Sequence, residues 1–313
     1  MQNPDVKEKV KQTQFDLYGH YGFVANPGET SYNGFNISSQ EREVLAFIQQ
    51  NYNGDIITNS KSILDTKQEL DIYLPDLNLA FEFNGTYWHS HLHKTSYYHQ
   101  NKTDQALKQG VSLIHIWEHD WLNKPNIIKS MILNKLNKTP HRIYARKCII
   151  KEVNYYDAQL FLEQNHLHGK GKPHTYSRGL YYNNQLVSVI TVTQEGEIAR
   201  FASLISHNVI GGFGKLFKSL KDKIKFTYAY QDWTPDGNKS IYNSYFLYNK
   251  ITKPMLFYYN RNNSTLYSRW AYRKLNLSKL FKDYNNENTH EFLLSKGILT
   301  IYTCGNHYYE IKQ

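Results

Sequence analysis

Two acidic residues stand inside runs that are otherwise apolar. Asp71 interrupts LDIYL, and Glu82 lies between Phe81 and Phe83 in the run that follows. A carboxylate buried without a partner is costly, so each calls for a bound cation or for a salt bridge to a buried Lys or Arg. The cation is the alternative that carries chemistry, because a divalent metal held by carboxylates on adjacent strands activates water and neutralises charge on a scissile phosphate. The segment after Glu82, FNGTYWHSHLH, turns at Gly85 and delivers His89, His91 and His93 within five residues. A histidine poised near neutral pH can take a proton from an attacking water or give one to a leaving oxygen. The same alternating spacing also fits a zinc site or a solvated loop.

The elements that must position these groups are short and well punctuated. IITN, ELDIYLP and LNLAFEFNG, rich in β-branched, Leu and aromatic residues, read as a β-meander whose last turn is at Pro75-Asp76. A helix capped by Ser38 or Ser39 precedes it, with Val44, Leu45, Phe47 and Ile48 as its apolar residues and Asn53-Gly54 as its end. Residues 97–109 read as a helix closed by Gly110, VSLIHIWE as a strand buried on both faces, and NIIKSMILNKL as a final helix. From HRIYARKCIIKEV onward a second series begins. It has a helix at 156–165, a hairpin of GLYYNN and QLVSVITVT through Asn183-Asn184, the strand EIARFAS, a Gly-rich turn into a basic helix at HNVIGGFGKLFKSLKDKI, and the strand FTYAYQDW.

The 313-residue chain exceeds one ordinary compact domain, so two packed domains and an arm are expected. Lys and Arg number 37 against 27 acidic residues, a formal charge of +10, which suits a polyanionic partner. Cys148 and Cys304 are the only cysteines, which excludes a disulfide framework and a Cys-rich zinc site and fits a reducing cytosol. No apolar run approaches the roughly 20 residues of a membrane span, and the first residues lack the apolar stretch of a secretory signal. The abundance of Asn, Lys, Ile and Tyr fits an AT-rich genome, such as that of a phage or a low-GC bacterium.

Residues 38–125 resemble PD-(D/E)XK nucleases of the very-short-patch-repair type, including the related homing endonucleases of phages and introns. The resemblance implies a restriction-endonuclease-like mixed β-sheet flanked by helices. It also implies a helix-borne Glu at Glu41, the metal-binding Asp at Asp71, an aromatic-Trp-His segment at Tyr87-Trp88-His89, and the Phe83 carbonyl as a backbone metal ligand, with Glu82 as the second acid of the general pattern. Mg²⁺ is the implied metal, with Mn²⁺ able to substitute, and double-stranded DNA is the implied substrate. Three departures stand out. The motif lysine falls at Asn84, so Lys102 on the following helix is the candidate for a migrated lysine; His99 falls where repair-type members carry an acidic partner of the catalytic histidine; and the cysteines of the repair enzyme's zinc site are missing, which favours the mobile-element branch. Glu41 also reads as a solvated helix carboxylate that Glu43 could replace. Glu118 and Asp120 either approach the metal edge or begin a loop.

The arm at 1–37, with Lys7, Lys9 and Lys11, resembles short basic modules that precede such phage nucleases, and its lysines would contact phosphates. Residues 143–313 resemble the GNAT-like α/β domain found fused to these nucleases, on ARKC, FLEQNHLHG and VIGGFGKL. Gly211, Gly212 and Gly214 either cradle a pyrophosphate, as in acetyltransferases, or make a tight strand-to-helix connection. Lys215 and Lys218 on the basic helix, and Arg269 and Arg273 beside Tyr267, Trp270 and Tyr272, either bind DNA or form a solvated face over a core stripe. The expectation is therefore a Mg²⁺-dependent endodeoxyribonuclease of the homing type, with a nuclease domain at 38–142 and a recognition domain at 143–313, cytoplasmic in a bacterial host, acting as a monomer or homodimer. The alternatives are an acetyltransferase with a degenerate nuclease domain and a non-catalytic DNA-binding protein.

Overall fold

The computed structural model describes residues 38–285 and 287–312. The arm expected at 5–18, with Lys7, Lys9 and Lys11, lies outside the described residues. The chain divides into compact units at 1–42 and 43–313. The division falls within helix α1 (Ser39–Asn51), whose buried residues, Val44 and Ile48, belong to the second unit. Strands β1 (Ile57–Ser60), β2 (Leu70–Leu74) and β3 (Leu79–Asn84) form the antiparallel meander. Helix α2 (Tyr98–Lys108) then carries the chain across to β4 (Ser112–Trp117), which lies parallel to β3, as a crossover connection allows.

Side chains alternate across a strand, and that decides which residues meet α2. Ile72, Phe81, Phe83, Ile114 and Ile116 turn to one face, where they pack with Val44 and Ile48 of α1 and with Ile127, Ile128 and Ile132 of α4 (Pro125–Lys135), which follows the short α3 (Glu118–Asn123). Tyr73, Ala80 and Leu113 turn to the other face and pack with Ala106 of α2. By the same alternation Asp71, Glu82 and His115 belong to the α2 face.

The rest of the chain is mixed α/β in several sheets. Strand β5 (His141–Tyr144) pairs in parallel with the later β10 (His207–Ile210). Strand β6 (Ile149–Glu152), helix α5 (Tyr155–Asn165), and strands β7 (Tyr176–Tyr182), β8 (Gln185–Val192) and β9 (Ile198–Ser203) follow, the four strands making an antiparallel sheet in sequence order. The β7–β8 turn holds both Asn183 and Asn184 at positive φ, 48° and 62°, the two-residue turn that matches strand twist. Helix α6 (Gly212–Ser219) is shorter than the basic helix anticipated, with a 3-10 turn at Lys221–Lys223 taking over its end.

Strand β11 (Phe226–Tyr230), helix α7 (Lys239–Tyr242) and strand β12 (Phe246–Ile251) lead into an inserted sheet. Its members are β13 (Leu256–Asn260), β14 (Thr265–Ser268) and β15 (Ile298–Tyr302), with α8 (Lys274–Leu280) and α9 (Thr289–Ser295) before the last. The final strand, β16 (Asn306–Ile311), returns between β11 and β12. Among the described residues no helix is long and apolar enough to cross a membrane. Contacts run freely across position 142: the Ser206 N–H donates to Ser130 Oγ at 2.8 Å, and the His115 N–H to the Asp232 carbonyl at 2.9 Å.

Candidate active site

Asp71 and Glu82 come opposite one another one step past the last β2–β3 ladder pair, Ile72 and Phe81. There the Asp71 side chain replaces the backbone ladder, its Oδ2 accepting the Phe83 N–H at 2.8 Å. Glu82 is buried, and its Oε1 takes a short salt bridge from the Lys102 ammonium, itself 2% exposed. Burial alone would lower the Lys102 pKa, but the charges of Glu82 and then Asp71 outweigh it and hold the pKa above the usual lysine value. Lys102 thus pairs with Glu82 and feels the charge of Asp71, although it comes from another element.

This ion pair accounts for the burial of Glu82 without any cation, so the burial does not itself indicate a metal. What remains is Glu82 Oε2, buried and without a hydrogen-bond partner. Among the described residues no group of three or more His, Cys, Asp or Glu side chains converges as a metal centre. Mg²⁺ does not need one, since it commonly uses one or two carboxylates and takes its remaining ligands from water and substrate. Asp71, the orphan oxygen of Glu82 and the Phe83 carbonyl are hard oxygen donors of that kind, and the residues fit such an ion.

The three histidines after Gly85 part company. His93 lies against Tyr87 and Trp88, with ring centroids 4.8 Å from each. His91 faces His290 at 5.6 Å, and its N–H donates to the Thr300 carbonyl of β15 at 2.9 Å. His89 alone turns to α2, where its Nδ1 lies 2.9 Å from His99 Nε2. Burial pushes the His89 pKa well below the ordinary value, followed by the charges of His99, Lys94, Lys102 and His115. Burial likewise lowers His99 to about 3, against the carbonyl of Tyr302, which raises it. Both rings are therefore neutral, and a single proton lies between them.

The 2.9 Å contact is made with the proton either on His89 Nδ1 or on His99 Nε2. In the first arrangement His89 Nε2 carries the free lone pair, as a general base requires.

Behind this pair stand residues whose role the sequence did not reveal. Thr103 Oγ1 donates to the His99 carbonyl at 2.9 Å and so accepts from His115 Nε2 at 2.8 Å; His115 Nδ1 accepts from Asn84 Nδ2 at 3.1 Å. Asn84, where the general motif has lysine, is thus tied to a buried imidazole. Gln100 Nε2 reaches the carbonyls of Thr252 and Cys304 at 3.0 and 2.7 Å, and the Cys304 N–H donates to Asp232 Oδ1 at 2.9 Å. His115 carried a legible signal, a polar residue in an apolar strand like Asp71 and Glu82. The partners near residue 300 carried none, because nothing in sequence relates positions about 200 apart.

The other expected site residues lie elsewhere or are engaged. Glu41 belongs to the 1–42 unit, in the first turn of α1, its N–H donating to Ser38 Oγ at 3.1 Å. Glu43 Oε2 accepts the Trp121 indole N–H at 3.0 Å. Glu118 Oε2 takes both the N–H and the hydroxyl of Thr86, which closes the turn after β3. Burial raises Asp120 to about 7. Lys215, expected on a DNA surface, instead donates to the carbonyls of Ala145 and Cys148 at 2.9 and 2.6 Å, an internal brace in place of a phosphate contact. Lys218, Arg269 and Arg273 are exposed, the two guanidiniums lying 4.7 and 5.9 Å from the Trp270 ring centre. The glycines of the turn serve the strand-to-helix connection: Gly211 supplies a left-handed φ of 76°, and a Cβ on Gly212 would meet Val209 at 3.0 Å. No protein-family model and no curated protein matches this chain.

Proposed function

We propose that the chain is a divalent-cation-dependent endonuclease acting on double-stranded DNA, with a restriction-endonuclease-like fold in its first half. One observation carries this: two carboxylates stand opposite one another on adjacent strands, and a lysine twenty residues downstream on another element pairs with one of them, which keeps a buried oxygen without a partner. Asp71, Glu82 and the Phe83 carbonyl would hold the cation, Mg²⁺ or Mn²⁺, which supplies charge neutralisation at the phosphate and water activation. Lys102 fixes Glu82 Oε1 and so leaves Oε2 for the cation, while its positive charge offsets that of the incoming phosphate. His89 takes the proton of the attacking water at Nε2, and His99 holds it in the required tautomer. The exposed Lys218, Arg269 and Arg273 serve as phosphate contacts.

Purified protein incubated with plasmid DNA and Mg²⁺ should nick or cut it, and chelation should stop the reaction. Asp71→Ala and Glu82→Ala should each lower the rate by at least about a hundredfold. Cleavage unchanged in both variants would refute the assignment.

A second reading is favoured by strand order. The splay of β9 from β11 and the return of β16 between β11 and β12 support a GNAT-like second half and, with it, an acetyltransferase. Calorimetry with acetyl-CoA tests it, and absence of heat counts against it. The glycine turn lends it no support, since backbone conformation at Gly211 and packing at Gly212 account for those residues.

A further inference from the structure

From Arg261 to Lys282 the chain carries six basic residues and no acidic one. The stretch covers β14, the turn after it and α8, all within the inserted sheet and its helices. Asp283, the next acid along the chain, is tied to Lys296.

In the turn between β14 and α8 the aromatic side chains part. Tyr272 is buried, edge-on to Tyr258 and Tyr267 with ring centroids 5.4 and 5.3 Å away. Trp270, two residues before it, is 59% exposed. The turn that raises it is pinned: the Ala271 N–H donates to the Ser268 carbonyl at 3.0 Å, and Asn276 Nδ2 donates to the Trp270 carbonyl at 2.9 Å. An indole left in water forgoes a large burial gain, although Tyr272 shows that this turn has a core in which to bury a ring.

The surroundings of the indole indicate what covers it. The guanidiniums of Arg269 and Arg273 lie 4.7 and 5.9 Å from its centre, and among the described residues neither is in an ion pair. Exposed Lys274 and Lys279 extend the positive charge along α8. A base stacked on an aromatic ring brings its own phosphates beside that ring, where such cations meet them. A duplex shows only base edges in its grooves, because each base face is covered by its neighbours, so stacking on an exposed indole selects a base that is unpaired.

We propose that the turn between β14 and α8 binds an unpaired DNA strand, one base stacking on Trp270 and the flanking phosphates on Arg269 and Arg273. This rests on the reading of the two arginines as phosphate contacts to DNA, and adds the state of the strand they hold.

The test is fluorescence anisotropy of the full chain in EDTA with a labelled oligothymidylate and with a labelled duplex, so that binding is read whether or not the chain cuts DNA. The single strand should bind. Trp270→Ala should weaken it at least about fivefold and the duplex less than about twofold, and Trp270→Phe should keep most of the native affinity. Arg269→Gln and Arg273→Gln should each weaken the single strand and flatten its dependence on salt. The proposal is overturned if the single strand does not bind, if Trp270→Ala binds it as the native chain does, or if Trp270→Ala loses single strand and duplex in equal measure. Should Trp270→Ala fail to fold, ultraviolet crosslinking of an iodouracil-substituted strand to the native chain decides: adducts on Trp270 support the proposal, and adducts only elsewhere overturn it. Plasmid cleavage without strand binding sinks this proposal alone, whereas strand binding through Trp270 without cleavage sinks the nuclease reading alone.

Discussion

Removing one member of the buried Glu82–Lys102 pair leaves the other charged and unsolvated, at a cost of about 3–5 kcal/mol, whereas replacing both by apolar residues of similar volume is close to neutral. Lys102→Met should therefore destabilise the protein by that amount in urea unfolding, and adding Glu82→Leu should recover most of it while leaving the protein inactive. If Lys102→Met alone costs nothing, the pair is not buried as described. The carboxylates were legible in sequence because an acid inside an apolar strand is anomalous on its face. Lys102 was legible only through the family resemblance, since by composition HQNKTDQALK is an ordinary polar helix, and yet Lys102 is 2% exposed. The histidine pair makes a separate prediction. With its pKa held well below 6.5 by burial, His89 stays neutral and basic into mild acid, so the acid limb of the pH–rate profile should fall below 6.5. His99→Asp puts a carboxylate beside the imidazolium that forms, which favours the charged form, so that limb should move up by about one unit or more. An active His99→Asp enzyme with an unshifted acid limb would show that His99 does not act on His89.

Most elements could be read from periodicity and punctuation, because turns, caps and β-branched runs are local. The orientation of α2 could not. Its buried residues are His99, Gln100, Lys102, Thr103 and Ala106, one helical face that is polar where helices are ordinarily apolar. Amphipathicity read in the usual sense turns this helix around. Its true neighbours are the carboxylates of β2 and β3 on one side and the backbone of β15 and its flanks on the other. The Ser90–Ile301 bridge and the His91–Thr300 hydrogen bond fasten the histidine loop to the same strand. Gln100 is the test of that arrangement, since it satisfies two carbonyls, of Thr252 and Cys304, that lie in the other half of the chain. Gln100→Ala strands both, at about 1–3 kcal/mol of stability. It should also accelerate amide exchange in residues 98–108 and 300–306 together. Exchange raised in the helix alone would mean that the two regions are not coupled.

At the scale of the whole molecule, buried imidazoles dominate the response to acid. His99, His115 and His119 are each nearly inaccessible and held below the ordinary value by burial, His99 to about 3 and His119 to about 4. Below pH 6.5 the unfolded chain binds protons at these positions and the folded chain does not, so stability falls as pH drops, by up to about 1.4 kcal/mol per unit for each group, until the folded pKa is reached. Asp120 and Asp232 oppose this. Burial raises both, Asp120 to about 7, so the folded state binds protons there first and gains stability as pH falls from 7 toward the unfolded value near 3.8. With His89, His166 and His168 also held low by burial, the imidazoles outnumber the two carboxyls and leave a net loss on acidification. The urea midpoint should therefore decline between pH 6.5 and 4. Asp120→Asn removes one of the opposing groups and the burial of its charge, so the variant should start above the native chain in weak base, decline more steeply, and draw level with it near pH 4. Parallel curves for the two would mean that Asp120 titrates in the folded state as it does in water, and that the seam between β4 and residues 230–233 is open to solvent.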